Sequence, residues 1–313
     1  MPYPGSVSVY AYFGPAGTFT EMALNRLLDR RPDGADATRI PAASPAAALA
    51  LVRAGEAAFA CVPIESSLEG SVPATMDALV PTAGRPRIQA YDEVSLDIAF
   101  TIAAREPLAP TAVRTIAAYP VASAQVTQSV AAAFPNAQFV ISTSNAAAAQ
   151  DVSDGRADAA VTTAIAADLY GLTPIAEGLA DADDAVTRFL LIGRPGPPTG
   201  RTGGDRTSVI LDLPNRPGSL VTAMSEFASR GVDLTRIESR PRGAGAPGQY
   251  RFFLDAAGHL DDDAVSEALR ALYRSCERVT FLGSWPVDRN PAPAPDDHTD
   301  SYRWLSALHN GDE

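Results

Sequence analysis

The chain has 313 residues, 46% of them hydrophobic and 20% charged, with 37 acidic against 25 basic side chains and a formal net charge of −12. That is enough for a sizeable core and for two domains. The acidic balance argues against nucleic acid as a partner, because binding it needs a basic face, and no apolar run approaches the roughly 20 residues that span a bilayer.

All 25 basic residues are arginine, and the three histidines, His259, His298 and His309, lie beyond residue 250. A histidine triad, a His-ligated zinc site and a lysine Schiff base are therefore excluded from the front of the chain. Carboxylates, hydroxyls, arginine and backbone dipoles remain. Cys61 and Cys276 make no CxxC pair, zinc spacing or disulfide framework, and both are expected as buried small hydrophobes. Residues 1–9 carry no basic segment followed by an apolar one, so no secretory leader is expected and the expected address is the cytoplasm.

From residue 7 to about 193, short apolar strands alternate with helical segments, the pattern of an α/β domain. A strand is expected over 7–13, then the turn Gly14-Pro-Ala-Gly-Thr18 and a helix to about Arg30, in which Thr18 and Glu21 have capping-box spacing. Ser44-Pro45 opens a second helix that Gly55 ends, and a strand follows over 57–64. A second block gives strand 115–119, helix 122–134, strand 138–142, helix 144–154 and strand 157–162.

The pairs Ser44/Ser144, Val52/Val152, Gly55/Gly155, Ala57/Ala157 and Ala60/Ala160 repeat at a spacing of 100 residues, which suggests two similar lobes. Chance likeness between alanine-rich helix-glycine-strand units is the competing explanation. Two such lobes would meet in a cleft, and small ligands bind in clefts at strand C-termini.

The breakers Pro195-Gly-Pro-Pro-Thr-Gly-Arg-Thr-Gly-Gly204 read as a linker. The expected division is a first domain over 7–194, a linker over 195–205, a second domain over 206–284 and a tail over 285–313. The second domain has strand 208–213, helix 217–229, strands 233–239 and 250–254, helix 261–274 and strand 278–282, the βαββαβ order of a ferredoxin-like fold. The tail is expected to be extended and partly disordered across Asn290-Pro-Ala-Pro-Ala-Pro-Asp-Asp297, with one or two helical turns over 302–308.

Three constellations could carry chemistry. The Gly14–Thr18 turn would aim backbone N–H groups and a helix N-terminus at an anion such as a carboxylate, although glycine turns before helices are common. The segment Val62-Pro-Ile-Glu-Ser-Ser-Leu-Glu-Gly-Ser-Val72 gathers two carboxylates and three hydroxyls where a buried strand ends, either facing the cleft or as a solvated loop. In Ala185-Val-Thr-Arg-Phe-Leu-Leu-Ile192, a Thr-Arg pair enters an otherwise apolar strand. Arginine there needs an anion, either a substrate or one of Asp181, Asp183 and Asp184.

Gly14-Pro-Ala-Gly-Thr18, Pro63-Ile-Glu-Ser-Ser67 and Thr187-Arg188-Phe189, in this order and spacing, resemble the three catalytic-domain signatures of the prephenate dehydratases. Asn215-Arg-Pro-Gly-Ser-Leu220 and Glu238-Ser-Arg-Pro241 resemble the two phenylalanine-binding motifs of that family's ACT regulatory domain, so the likeness covers about 230 residues. It implies a two-lobed, periplasmic-binding-protein-like catalytic domain followed by an ACT domain. The implied enzyme is a carbon–oxygen lyase of L-phenylalanine biosynthesis that converts prephenate to phenylpyruvate without a metal or organic cofactor.

On the same basis Thr187 is the catalytic residue. Arg188, Phe189, Gly17, Thr18, Glu65, Ser66, Ser67, Gln125, Ser142 and Thr163 form the candidate substrate-binding set. Asn215, Pro217, Gly218, Ser219, Leu220, Glu238, Ser239 and Arg240 would bind L-phenylalanine as allosteric effector between paired domains of a dimer or tetramer.

Departures from the family pattern fall at Ser66, where asparagine is usual, at Tyr119, where a histidine motif usually stands, and at Asp184, where asparagine is frequent. Ser219 replaces a common alanine. No room for a further helical domain precedes Val7, so a monofunctional enzyme is expected. Arogenate dehydratase is the nearest alternative. A non-catalytic amino-acid-sensing protein is the other, disfavoured because pure binding gives no reason for a threonine beside the arginine.

Overall fold

The computed structural model describes residues 8–182, 184–243, 248–296 and 299–311. Two units alternate along the chain: Met1–Ala78 with Val94–Leu191, and Leu79–Glu93 with Ile192–Glu313.

The elements that build the first unit are β1 (Val9–Phe13), α1 (Phe19–Leu28), β2 (Thr38–Ala42), α2 (Pro45–Ala54), β3 (Phe59–Ser66), β4 (Gly70–Ser71), α3 (Pro73–Leu79), β5 (Gln89–Asp97) and β6 (Phe100–Ala104). After these come β7 (Thr115–Ala118), α4 (Pro120–Ala124), α5 (Thr127–Ala133), β8 (Gln138–Ile141), α6 (Asn145–Ser153), β9 (Ala159–Thr162), α7 (Ala164–Leu169), β10 (Thr173–Leu179) and β11 (Val186–Gly193). One sheet has the order β2-β1-β3-β11-β5 with β4 paired to β3, and the other β10-β6-β9-β7-β8. Each is the sheet of one lobe. β5 and β11 are the strands through which the chain passes from one unit to the other.

The repeated helices form for the reasons their sequences give. Ser44 accepts from the Ala47 N–H at 3.1 Å, Ser144 from the Ala147 N–H at 3.0 Å, and Gly55 ends α2 with φ 81°. Both helices bury alanine and valine against their sheets, Ala48, Leu49 and Val52 in one and Ala148, Ala149 and Val152 in the other.

Three expectations change. The capping box at Thr18 is not closed: the Thr18 hydroxyl donates to Pro15 O, and the Glu21 carboxylate reaches one residue further back to accept from the Gly17 N–H at 2.6 Å. The helix expected over 122–134 is two helices, because Asp181 caps the second from outside, accepting from the N–H groups of Gln128 and Ser129 at 2.9 and 2.8 Å. The first strand begins at Val9, residue 7 lying outside the described residues.

Asp158, just before β9, accepts from the N–H groups of Arg114 and Thr115 at 2.9 Å each and so ties β9 to β7. Burial alone would raise its pKa, but these hydrogen bonds and the Thr115 hydroxyl leave it below the ordinary carboxylate value. A lowered folded-state pKa contributes stability above the unfolded value of about 3.9 that is lost as pH falls through the folded one. Asp158→Asn is therefore expected to lower the denaturation midpoint at pH 7, and the gap from the parent to close as the pH falls below about 3.9; a gap independent of pH would contradict this.

In the second unit β12 (Asp205–Asp212), α8 (Ser219–Ala228), β13 (Leu234–Pro241), β14 (Tyr250–Ala257), α9 (Asp263–Ser275) and β15 (Arg278–Pro286) give the expected βαββαβ order. The antiparallel sheet runs β13-β14-β12-β15. Val209, Leu211, Phe227, Leu254, Val265 and Leu272 pack between sheet and helices. The tail has no regular structure over 290–296 and then forms α10 (Thr299–Asn310), longer than the one or two turns expected; residues 297 and 298 lie outside the described residues. Among the described residues, no helix is long and apolar enough to cross a membrane.

Candidate active site

Thr187 and Arg188 are the second and third residues of β11, which lies between β3 and β5 in its sheet. Hydrogen bonds fix where this strand starts. Ser67 N–H donates to Val186 O at 2.8 Å, and Val186 N–H donates to Ser67 Oγ at 3.0 Å. The Ser67 hydroxyl donates to Asp184 O at 3.1 Å, and Ile98 N–H donates to Ala185 O at 2.7 Å. The ends of β3 and β5 thus hold Thr187 in register beside Glu65 and Ser66.

The Arg188 guanidinium, whose side chain is 11% exposed, donates to Glu65 Oε2 at 3.1 Å. A protein anion for it thus comes from β3, 123 positions away; of the nearby aspartates, Asp183 lies outside the described residues. Phe189, 2% exposed, anchors the strand in the core. Ser66 accepts from the N–H groups of Leu68 and Glu69 at 3.3 and 3.4 Å and so shapes the turn after β3.

At the ends of β1 and β2 a cavity of about 430 Å³ opens between the lobes. Phe13, Gly14 and Thr18 line it from one side, and Tyr119, Ser144 and Asn145 from the other. Sequence reasoning placed Gly14 and Thr18 here but did not select Thr143, Ser144 or Asn145. They follow β8 at the start of a capped helix, and the rule that ligands gather at strand C-termini would have found them. Since β3 separates β1 from β11, Thr187's strand is two strand spacings from β1, about 10 Å.

The lobes touch beside this cavity. Thr163, fully buried, donates its hydroxyl to Gly17 O at 2.7 Å while accepting from Ala166 N–H at 3.1 Å. Gly17 has φ +84°, and a Cβ there would lie 2.8 Å from Ala166 Cβ. Its N–H is engaged by Glu21, whose carboxylate, after burial itself, helps push Tyr12 up to about 12. The buried Ser142 hydroxyl donates to Asp151. Gln125 is half-buried between α4 and α5, and its carbonyl accepts from Asp181 N–H. Thr187, Arg188, Glu65 and Ser66 are therefore brought together, Gly17 and Thr163 form the inter-lobe contact, Thr18 lines the cavity, and Ser142 is tied to Asp151. Among the described residues, no group of three or more His, Cys, Asp or Glu could hold a metal ion.

In the second unit Asn215, Pro217 and Gly218 form the exposed loop after β12, and Gly218, at φ 84°, precedes α8. Ser219 and Leu220 begin that helix, and the buried Ser219 Oγ has no hydrogen-bond partner among the described residues. It lines a cavity of only about 60 Å³ with Pro217, Thr222 and Cys276. Glu238, Ser239 and Arg240 lie on edge strand β13, with Glu238 and Arg240 on one face. Arg240 pairs with Arg251, and Arg251 with Asp212, so both motifs lie at the same end of the sheet, one strand apart.

Two α/β lobes around a cleft, followed by a ferredoxin-like unit with a helix-start loop beside an edge strand, define a small-molecule α/β protein with an appended sensor-type domain. A prephenate dehydratase family model matches residues 10–197, and an ACT domain model matches residues 207–272. A prephenate dehydratase from Mycolicibacterium vanbaalenii is 53% identical over 310 residues, covering 96% of this chain and 98% of the relative. The crystal structure of a prephenate dehydratase from Arthrobacter aurescens in complex with L-Phe is 39% identical with a TM-score of 0.85, covering 96% of this chain and 99% of that one. A protein described as a novel type of quorum quenching acylase is 28% identical with a TM-score of 0.78, covering 90% of this chain and 98% of that one. The chain belongs to the prephenate dehydratase family.

Proposed function

We propose that this protein is a prephenate dehydratase of L-phenylalanine biosynthesis, cytoplasmic and self-associating as a dimer or tetramer, which L-phenylalanine inhibits through the ACT domain. The observation that carries the catalytic reading is the Thr187–Arg188 pair, clamped at the end of a central strand next to Glu65, in a chain whose relatives bear that name over nearly their full length.

The reaction needs little acid–base machinery. The ring carboxylate leaves as carbon dioxide, its electron pair enters the ring, and the ring carbon–oxygen bond opposite breaks, with one proton turning the departing hydroxide into water. Thr187 donates a hydrogen bond to that hydroxyl and relays the proton from solvent. A threonine hydroxyl is a poor acid by pKa, so its contribution comes from placement. Arg188 holds a substrate carboxylate in competition with Glu65. The Ser144 hydroxyl, which accepts from the Ala147 N–H and keeps its own O–H, supplies a further donor, a role that the Thr18 hydroxyl cannot fill while it donates to Pro15 O, nor the Gly17 N–H while Glu21 occupies it.

The effector reading rests on the two motifs meeting at one end of the sheet. The cavity beside Ser219 is too small for an aromatic amino acid, so a second copy would complete the pocket.

The test is pure protein incubated with prephenate, following phenylpyruvate absorbance with and without L-phenylalanine, and with arogenate as competing substrate. Phenylpyruvate formation that L-phenylalanine suppresses is expected. No turnover of either substrate would overturn the catalytic reading, and faster turnover of arogenate would make it an arogenate dehydratase.

A further inference from the structure

A single strand, β5, is gripped in one unit at its first half and reaches the catalytic strand of the other unit at its far end. Glu93, 1% exposed, is a buried carboxylate in that strand. It accepts from the Arg206 guanidinium, from the Trp285 indole N–H at 3.0 Å and from the Asp288 N–H at 3.4 Å. These donors come from the first strand of the ferredoxin-like sheet, from its last strand and from the segment just beyond it.

The rest of this half is held equally closely. Gln89 donates to Gly196 O at 3.0 Å and the Tyr91 hydroxyl to Arg194 O at 2.7 Å. Gly283 of β15 comes so near that a Cβ on it would lie 2.3 Å from Ala90 O. Five residues beyond Glu93, Ile98 N–H donates to Ala185 O, two residues before Thr187.

A buried ion pair is a poor device for stability alone, because well-packed apolar residues commonly do as well. What it does enforce is one register, since any slip of β5 against β12 and β15 leaves a charge without its partner in a low-dielectric interior. A small rearrangement of that sheet is then passed along β5, because packed elements shift between discrete arrangements and do not deform smoothly.

We propose that β5 carries the effector signal to the catalytic strand and that Glu93 is the positioning residue that couples it to the ACT sheet. This rests on the reading above that the protein turns over prephenate and binds L-phenylalanine.

Wild type, Glu93→Gln and Trp285→Phe are compared as full-length proteins. Turnover is measured across an L-phenylalanine titration, and L-phenylalanine binding is measured by calorimetry on the same samples. Glu93→Gln removes the counter-charge of Arg206. Trp285→Phe keeps a ring in place and removes only the indole donor, which keeps the test usable if the first variant does not fold.

In both, kcat/KM without effector and the dissociation constant for L-phenylalanine are expected to stay within about threefold of wild type. The activity that remains at saturating L-phenylalanine is expected to rise about threefold or more, since weakened coupling raises the plateau of inhibition while occupancy is unchanged. Unchanged inhibition curves in the folded variants would overturn the proposal, as would parallel loss of binding and inhibition, since that pattern marks a purely structural role. Wild type that turns over prephenate without binding L-phenylalanine would remove the effector reading and this proposal together, leaving the catalytic reading standing.

Discussion

Thr187→Ala is expected to reduce turnover of prephenate by roughly 10²–10⁴-fold, the range over which a positioned proton donor or transition-state hydrogen bond acts, with only a modest change in KM. The reason lies in how the side chain is held. Ser67 and Ile98 fix the start of β11 through hydrogen bonds to Val186, Asp184 and Ala185, and buried Phe189 secures the next turn of the strand. Removing one hydroxyl and one methyl from so constrained a frame leaves Arg188 and the cleft in place, so substrate should still bind. Thr187→Ser keeps the hydroxyl and loses only the β-branch that restricts its rotamer, and its loss should be much smaller. Near-normal turnover by a pure Thr187→Ala sample would remove Thr187 from the mechanism.

Gly17→Ala should place a damaging methyl at the contact between the two lobes. The residue has φ +84°, a conformation that costs an L-residue about 1–2 kcal/mol. Its new Cβ would lie 2.8 Å from Ala166 Cβ and 3.1 Å from Ala166 Cα, so the clash is partly with backbone and a rotamer change cannot relieve it. Overpacking of this kind costs about 1–3 kcal/mol more. The methyl also presses on the contact in which Thr163 donates to Gly17 O, so the lobes must part at the mouth of the cavity. A fall in the urea midpoint equivalent to about 2–5 kcal/mol is expected, together with weakened prephenate binding. An unshifted midpoint would show that the lobes are not held together here.

Much of this was legible in the chain. Ser44, Pro45 and Gly55 announce α2 completely, and Ser144 does the same for α6, because caps and glycine ends are local chemistry. The alternation of strand and helix gave the lobes, and the βαββαβ order gave the second unit. What could not be read depends on distant parts of the chain. Nothing near residue 126 shows that Asp181 will cap a helix there, nor near Arg188 that Glu65 will pair with it. The places of β6 and β10 in their sheet are set by antiparallel pairing between segments distant in the chain. Thr187 itself stood out only as a polar residue in an apolar strand, and family likeness supplied its role. The likeness to an acylase shows why the fold alone could not have done so.

The interleaving of the units has a consequence for how such a protein can evolve. The residues 79–93 belong with the second unit although they are flanked on both sides by the first. A gene fusion that appended a sensor at residue 195 would not have produced this arrangement in one step. The intervening segment had to acquire its partners, Arg206 and Trp285 among them, after the join or together with it. Recombination between relatives that exchanged only the C-terminal third would separate Glu93 from those partners. The two parts should therefore be inherited as a matched pair, their histories bound by one strand.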